Sequence, residues 1–103
     1  MKAKLEAENG PLEGTVYRIG GTGSLTIGRA SSADLSIPDK AVSRSHCRLE
    51  HEDSFWWLID DDSHNGTLVN GKPIAKAMLF GGDRIEIGHQ TFRFVLTEEE
   101  PQQ

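Results

Sequence analysis

Four consecutive residues, Ser43-Arg44-Ser45-His46, place two hydroxyls, a guanidinium and an imidazole next to one another in the chain. Three kinds of chemistry use such groups. They are a serine nucleophile with a histidine base, a metal site that uses the imidazole, and a holder for an anion. Residues elsewhere in the sequence must distinguish among them.

The serine hydrolase hypothesis rests only on the nearness of Ser43 and His46 in the sequence. A serine nucleophile needs a base within hydrogen-bond reach and a third group that orients the base, and such triads assemble from distant segments. The Gly-x-Ser-x-Gly turn that presents many serine nucleophiles is missing from the sequence. We therefore do not expect a catalytic residue here.

Metal and cofactor sites find no better support. His46 and His51 lie five residues apart, which places them on opposite faces of a strand. Residues 60–62, three aspartates, lack the spacing and the closing Glu of a calcium loop, and a solvated acidic loop is the simpler interpretation. The glycine-rich segment 20–24 precedes a strand pattern and not a helix, so it predicts a hairpin loop and not a phosphate loop.

Anion binding draws on three separate segments. Gly28-Arg29 ends a strand and enters a loop, Ser43–His46 precedes a strand, and Ser63–Thr67 forms a third loop that contains Asn65. In a β-sandwich, loops from different strands can gather at one end. Two guanidiniums, a hydroxyl and an amide can then converge on one tetrahedral anion. None of these groups is an obvious general base or nucleophile, so the chemistry is binding.

Short alternating patterns predict the strands that position these loops. They are rich in β-branched and aromatic residues and cover 15–19, 24–28, 35–37, 46–52, 55–60, 67–69, 83–88 and 90–96. Frequent Gly and Asn residues between them indicate tight turns. The pattern is typical of an all-β sandwich or barrel. Trp56 and Trp57 are neighbours on a strand, so one ring should face inward and the other outward.

Composition restricts the class of protein further. The 103 residues suffice for one domain, and the net charge of −5 argues against a nucleic-acid binder. Cations concentrate locally, with Arg29, Lys40, Arg44 and Arg48 between residues 28 and 48. A cationic patch on an acidic body predicts a specific anionic ligand. No apolar run could span a membrane, the charged N-terminus does not resemble a signal peptide, and the lone Cys47 predicts a buried thiol in a reducing cytoplasm.

Four segments together resemble the forkhead-associated (FHA) domain family. They are "IGR" at 27–29, "LSIPDKAVSRSHCRLE" at 35–50, "DDSHNGTLVN" at 61–70 with Gly71, and "GDRIEIG" at 82–88. The resemblance implies an all-β, two-sheet β-sandwich of about eleven strands, with a phosphothreonine site in its apical loops. We expect an FHA domain at 1–97 and an acidic, polar tail or the start of a linker at 98–103.

The resemblance also implies a role for each site residue. Arg29 would contact the phosphate and also support the site, Ser43 would hydrogen-bond a phosphate oxygen, and Arg44 would add charge or meet the phosphate. Asn65 would hold the main chain of the ligand peptide, and His64 stands where relatives often carry Ser or Thr. Structural support would come from six further residues of the same motifs: Gly28, His46, Gly66, Thr67, Asn70 and Gly71. Among them, His46 would be buried between the loops, and Asn70-Gly71 would form a hairpin turn.

The sequence thus predicts a phosphothreonine-peptide-binding module for signalling and not an enzyme. Its partner would be a phosphothreonine-containing protein, and we expect no cofactor, metal, nucleic acid or membrane partner, and a monomeric, cytoplasmic module. Two alternatives stay open. One is an FHA-like fold that binds a protein without phosphate, and the other is a small serine hydrolase built on Ser43.

Overall fold

The computed structural model describes residues 2–19 and 23–97, and within them the chain forms eleven strands in two sheets and no helix. The all-β sandwich expected from the sequence is therefore confirmed. Two other expectations, most of the hairpin loop at 20–24 and the polar tail at 98–103, lie outside the described residues.

Both sheets are almost entirely antiparallel. The first has the order β2-β1-β11-β10-β7-β8, and the second has the order β4-β3-β5-β6-β9, in which β3 and β4 form the one parallel pair among the described strands. The strand bounds are β1 Lys2–Ala7, β2 Val16–Arg18, β3 Ser24–Gly28, β4 Leu35–Ser36, β5 Cys47–Glu52, β6 Phe55–Asp60, β7 Thr67–Val69, β8 Lys72–Pro73, β9 Lys76–Leu79, β10 Arg84–Ile87 and β11 Gln90–Thr97.

Alternation of apolar and polar residues explains why these segments form a sandwich. On β5 and β6 the fully buried Leu49 lies opposite the fully buried Leu58, and the intervening side chains face outward. Trp56 is buried edge-on against Phe94, whereas Trp57 on the other face is only half-buried beneath the ammonium of Lys76. One Trp faces inward and the other outward, as the sequence predicts.

Three strands were not predicted from the sequence: β1, β8 and β9. In β1, Lys, Glu and Ala are weak strand formers, but the apolar residues still alternate, and Ala3, Leu5 and Ala7 are buried against β11. β8 is a two-residue edge strand that contains Pro73, and edges are where strands tolerate proline. In β1, burial of the alternating apolar residues and not propensity therefore determines the strand.

Three loops meet at one end of the sandwich. They are the β3–β4, β4–β5 and β6–β7 loops, and backbone hydrogen bonds join the first two, from Arg29 N–H to Ser43 O (2.9 Å) and from Ala30 N–H to Arg44 O (3.2 Å). The β10–β11 turn at Gly88-His89 packs against the β4–β5 loop from the side. The two sheets thus hold separate segments of sequence around one surface.

Candidate functional site

A shallow cleft of about 460 Å³ opens among the three loops. All five residues predicted to bind the ligand line it, namely Arg29, Ser43, Arg44, His64 and Asn65, together with Lys40, Ala41 and Val42. The structure therefore brings together side chains that are up to 36 positions apart in the sequence.

Arg29 follows directly on the last residue of β3. Its side chain is exposed, and its Nε–H donates to Val42 O (3.0 Å), which fixes the guanidinium over the β4–β5 loop. The terminal N–H groups have no partner among the described residues, so they can meet an oxyanion. Beneath it, a Cβ on Gly28 would lie 2.0 Å from Arg44 O. Glycine is therefore needed there for the two loops to approach each other.

His46 connects two of the loops from inside the domain. The ring is fully buried, and its Nδ1 accepts the Ser43 N–H (3.0 Å). Because Nδ1 is an acceptor, Nε2 carries the proton and donates it to Gly66 O (2.8 Å). Gly66 has a φ of 87°, which a residue with a side chain would adopt only with strain. The imidazole thus serves as the hydrogen-bond partner of one backbone group in each of two loops.

The same geometry argues against a Ser43–His46 catalytic pair. Both ring nitrogens of His46 are engaged with backbone groups, whereas a general base needs a nitrogen within reach of the serine hydroxyl. Ser43 Oγ instead accepts the His64 N–H (2.9 Å). Its own hydroxyl hydrogen stays available for donation, and this is what an anion requires.

Asn65 spans the cleft from the β6–β7 loop. Its Nδ2 donates to Ala41 O (2.8 Å), which orients the exposed amide. The Oδ1 atom has no hydrogen-bond partner within residues 2–19 and 23–97. An amide held in this way can accept an N–H from an extended peptide.

Asp60 organises the β6–β7 loop, and the sequence-based expectation of a merely solvated acidic loop is wrong for it. Its carboxylate accepts the Ser63 N–H (3.0 Å), the Ser63 hydroxyl (2.6 Å) and the hydroxyl of the buried Thr67 (2.6 Å). Burial raises the pKa of Asp60, but these hydrogen bonds outweigh it, so the pKa lies below the ordinary value. Thr67 is therefore tied to the β6–β7 loop through Asp60.

Asp39 fixes the β4–β5 loop from the other side. It accepts the Ala41 N–H (3.0 Å), the His89 N–H (2.7 Å) and a contact from His89 Nδ1 (2.9 Å). These backbone hydrogen bonds are the main reason that the pKa of Asp39 is lowered. The bond to Ala41 is an Asx turn that the sequence could have indicated. His89 is fifty residues away, and no local signal connects it to Asp39.

Not every residue assigned to the site or the cationic patch reaches the cleft. Asn70 and Gly71 form the two-residue turn between β7 and β8, and Asn70 bonds to Asp83 and Arg84, so this turn stabilises the end of β7 away from the cleft. Arg48 lies on the outer face of β5, where it pairs with Glu50 (2.8 Å) and with Asp61. Strand alternation places Arg48 on the outer face of the sheet, where these carboxylates engage its guanidinium, and Arg48 is not among the residues that line the cleft.

The described residues give no support to metal binding or to thiol chemistry. Among the described residues, no group of three or more His, Cys, Asp or Glu side chains could hold a metal ion. Cys47 is buried, and desolvation raises the pKa of its thiol to about 12, which leaves it protonated and unreactive. Within residues 2–19 and 23–97, no helix is long and apolar enough to cross a membrane.

Comparison with known proteins identifies this combination of fold and cleft. The FHA domain family model matches residues 25–88. The FHA domain-containing protein FhaA of Mycobacterium tuberculosis is 40% identical over 67 residues, which are 65% of this chain and 13% of FhaA. The glycogen accumulation regulator GarA of Mycolicibacterium smegmatis is 33% identical over 93 residues, which are 90% of this chain and 57% of GarA.

Solved structures agree with the sequence matches. One, solved for a structural and functional analysis of phosphothreonine-dependent FHA domain interactions, superimposes with a TM-score of 0.87 at 31% identity and covers 96% of this chain and 100% of that chain. A two-sheet sandwich with a cleft among its apical loops defines the class, and the matched residues are more than half of the sequence. The chain belongs to the FHA domain family. It spans little more than half of GarA and a much smaller share of FhaA.

Proposed function

We propose that this chain binds phosphothreonine-containing peptides in the cleft of the three loops and thereby mediates phosphorylation-dependent protein interactions in signalling. The observation that carries the proposal is the convergence of Arg29, Arg44 and the Ser43 hydroxyl on one surface of a protein with net charge −5. The structural relative studied for phosphothreonine-dependent FHA domain interactions supports phosphothreonine as the ligand.

In this proposal the phosphate accounts for most of the binding energy. A phosphate carries about −1.5 to −2 charges near neutral pH, and its oxygens are strong acceptors for guanidinium and hydroxyl donors. Each charge-assisted hydrogen bond contributes about 1.5–3 kcal/mol. The terminal N–H groups of Arg29 and the hydroxyl of Ser43 supply two such donors, so an unphosphorylated peptide should bind at least about 100-fold more weakly.

The rest of the cleft orients the peptide. Asn65 holds its amide against Ala41 O and offers Oδ1 to the main chain of the ligand. His64 presents its backbone N–H to Ser43 and lines the cleft with its imidazole, which can donate to the phosphate or to a flanking group. Because both ring nitrogens of His46 are engaged with backbone groups, Ser43 has no base there, and we propose a binding module and not an enzyme.

The setting of the module belongs to the same proposal. We propose a domain that extends over residues 1–97 with a polar tail at 98–103, because β1 and β11 pair from Lys2 with Thr97 onward. We propose a monomeric module that works in the cytoplasm, where kinases phosphorylate threonines and where the lone buried Cys47 stays reduced.

Peptide titration of site variants tests the proposal. A phosphothreonine peptide selected from a library is titrated, in its Thr and phospho-Thr forms, against the wild-type chain, Arg29→Ala, Ser43→Ala and Arg84→Ala. Arg84→Ala is the control. Arg84 is an exposed arginine on β10, so its replacement removes the same charge at a position away from the cleft. Loss of one charge-assisted bond should weaken phosphopeptide binding at least tenfold in the two site variants and less than twofold in the control.

Three results would overturn the proposal. Equal binding of the two peptide forms would favour a phosphate-independent partner. Undiminished binding by Arg29→Ala would place the phosphate elsewhere. If the chain instead hydrolysed an ester substrate in a manner abolished by Ser43→Ala, the hydrolase alternative would replace the binding module.

A further inference from the structure

Three cationic side chains line the cleft, and this is one more than a phosphate dianion balances. They are Arg29, Lys40 and Arg44. Neither Lys40 nor the Arg44 guanidinium forms an ion pair with any residue in the described part of the chain. A phosphate supplies at most two negative charges. The cleft thus keeps a surplus positive charge after the phosphate is bound.

The acidic neighbour of Lys40 does not neutralise this charge. Asp39 precedes Lys40 directly, but its carboxylate is engaged by the Ala41 N–H and by His89, on the side of the loop that packs against the β10–β11 turn. Only about 10% of the Asp39 side chain is exposed. Lys40 is therefore an exposed residue of the cleft lining that has no counter-ion among the described residues.

Lys40 lies near the part of the cleft that would hold the residues flanking the phosphothreonine, and not near the part that would hold the phosphate. Arg29, Ser43 and Arg44 form the end of the cleft where the β3–β4 and β4–β5 loops are hydrogen-bonded together. Lys40 adjoins Ala41, whose carbonyl accepts the Asn65 amide. Because Asn65 is the group proposed to hold the peptide main chain, Lys40 lies where the chain enters or leaves the phosphothreonine.

We propose that Lys40 makes the cleft selective for phosphothreonine peptides that carry a carboxylate, from Asp or Glu, beside the phosphorylated residue. The inference rests on the phosphothreonine function proposed above and adds the class of partner sequence. A lysine suits this role because its ammonium is a point charge on a flexible stem, which can meet a carboxylate at more than one peptide position. Such a solvent-exposed pair should tighten binding about two- to fivefold and lose this effect at high salt.

A glutamate scan of the peptide tests the inference. The reference peptide has phosphothreonine flanked by alanines, and each of six derivatives has one Glu at a position from three before to three after the phosphothreonine. Fluorescence anisotropy gives the affinity of each for the wild-type chain, Lys40→Gln and Lys72→Gln. Lys72→Gln is the control. Lys72 is an exposed lysine on the edge strand β8, so its replacement changes the net charge equally and leaves the cleft unchanged.

We expect at least one Glu position to bind the wild-type chain and Lys72→Gln two- to fivefold more tightly than the alanine reference does. Lys40→Gln should abolish that gain, and replacing the peptide Glu by Gln should abolish it in the wild-type chain. The inference is overturned if no Glu position tightens binding or if the gain survives in Lys40→Gln.

The same experiment also tests, independently of Lys40, whether peptide binding requires the phosphate. The alanine-flanked peptide is also measured without its phosphate. If it binds equally well in both forms, or in neither, the proposed function fails and the flank preference fails with it. If phosphate is required but Glu has no effect, only the role of Lys40 is rejected.

Discussion

Replacing His46 by alanine should destabilise the domain strongly, because this one ring satisfies two backbone groups in separate loops. The change leaves the Ser43 N–H and the Gly66 carbonyl without their partner inside the protein, where the ring is fully buried. An unsatisfied buried polar group costs about 1–3 kcal/mol. Two such groups give an expected loss of about 2–6 kcal/mol, which is a large part of the roughly 5–15 kcal/mol that stabilises a typical domain.

Urea unfolding followed by tryptophan fluorescence measures this loss, since Trp56 is buried in the core. Ser45→Ala is the matched control, because Ser45 is an exposed neighbour in the same loop and should change the free energy of unfolding by less than about 0.5 kcal/mol. His46→Phe separates the hydrogen bonds from the loss of volume, since it fills the site but bonds to neither loop. A loss below about 1 kcal/mol in His46→Ala would refute the connecting role.

Two further changes test how the loops are held. Gly28→Ala should destabilise the domain by about 2–3 kcal/mol in the same urea assay, because its Cβ would lie 2.0 Å from Arg44 O and the loops would have to separate; unchanged stability would contradict this close approach. Asp39 has a folded-state pKa below its ordinary value of 3.8, so the unfolded chain takes up the proton first as the pH falls. The wild-type chain should therefore be more thermally stable than Asp39→Asn above about pH 4. It should lose that advantage as the pH falls below 3.8 through the folded-state pKa. A constant difference in stability across this range would refute the role of the carboxylate.

Most of the strands and the residues that line the cleft could be predicted because both leave local patterns. Alternation on β5 and β6 identifies the buried Leu49 and Leu58, since a strand exposes every second residue to the core. The motifs around Arg29, Ser43 and Asn65 indicated the three loops that the structure brings to one cleft. In each of these cases the information lies within a few residues of the position concerned.

The missed features depend on contacts between distant segments. Asp39 and His89 are fifty residues apart, so their pairing exists only once β4–β5 and β10–β11 are packed together. Asp60 looks like one of three solvated aspartates until the loop turns Ser63 and Thr67 toward it. Composition likewise grouped Arg48 with the cleft cations, and only the direction of its side chain on β5 separates them.

Backbone amide NMR shifts test the central claim most directly. The wild-type chain is titrated with one threonine peptide and then with its phosphorylated form. We predict that the phosphate adds large shifts at the amides of Ser43 and His64, which line the cleft, and of Gly66 next to Asn65, and leaves those of Asn70 and Gly71 unchanged. Identical shifts with both peptides, or phosphate-dependent shifts centred on the Asn70-Gly71 turn, would contradict a phosphothreonine site in this cleft.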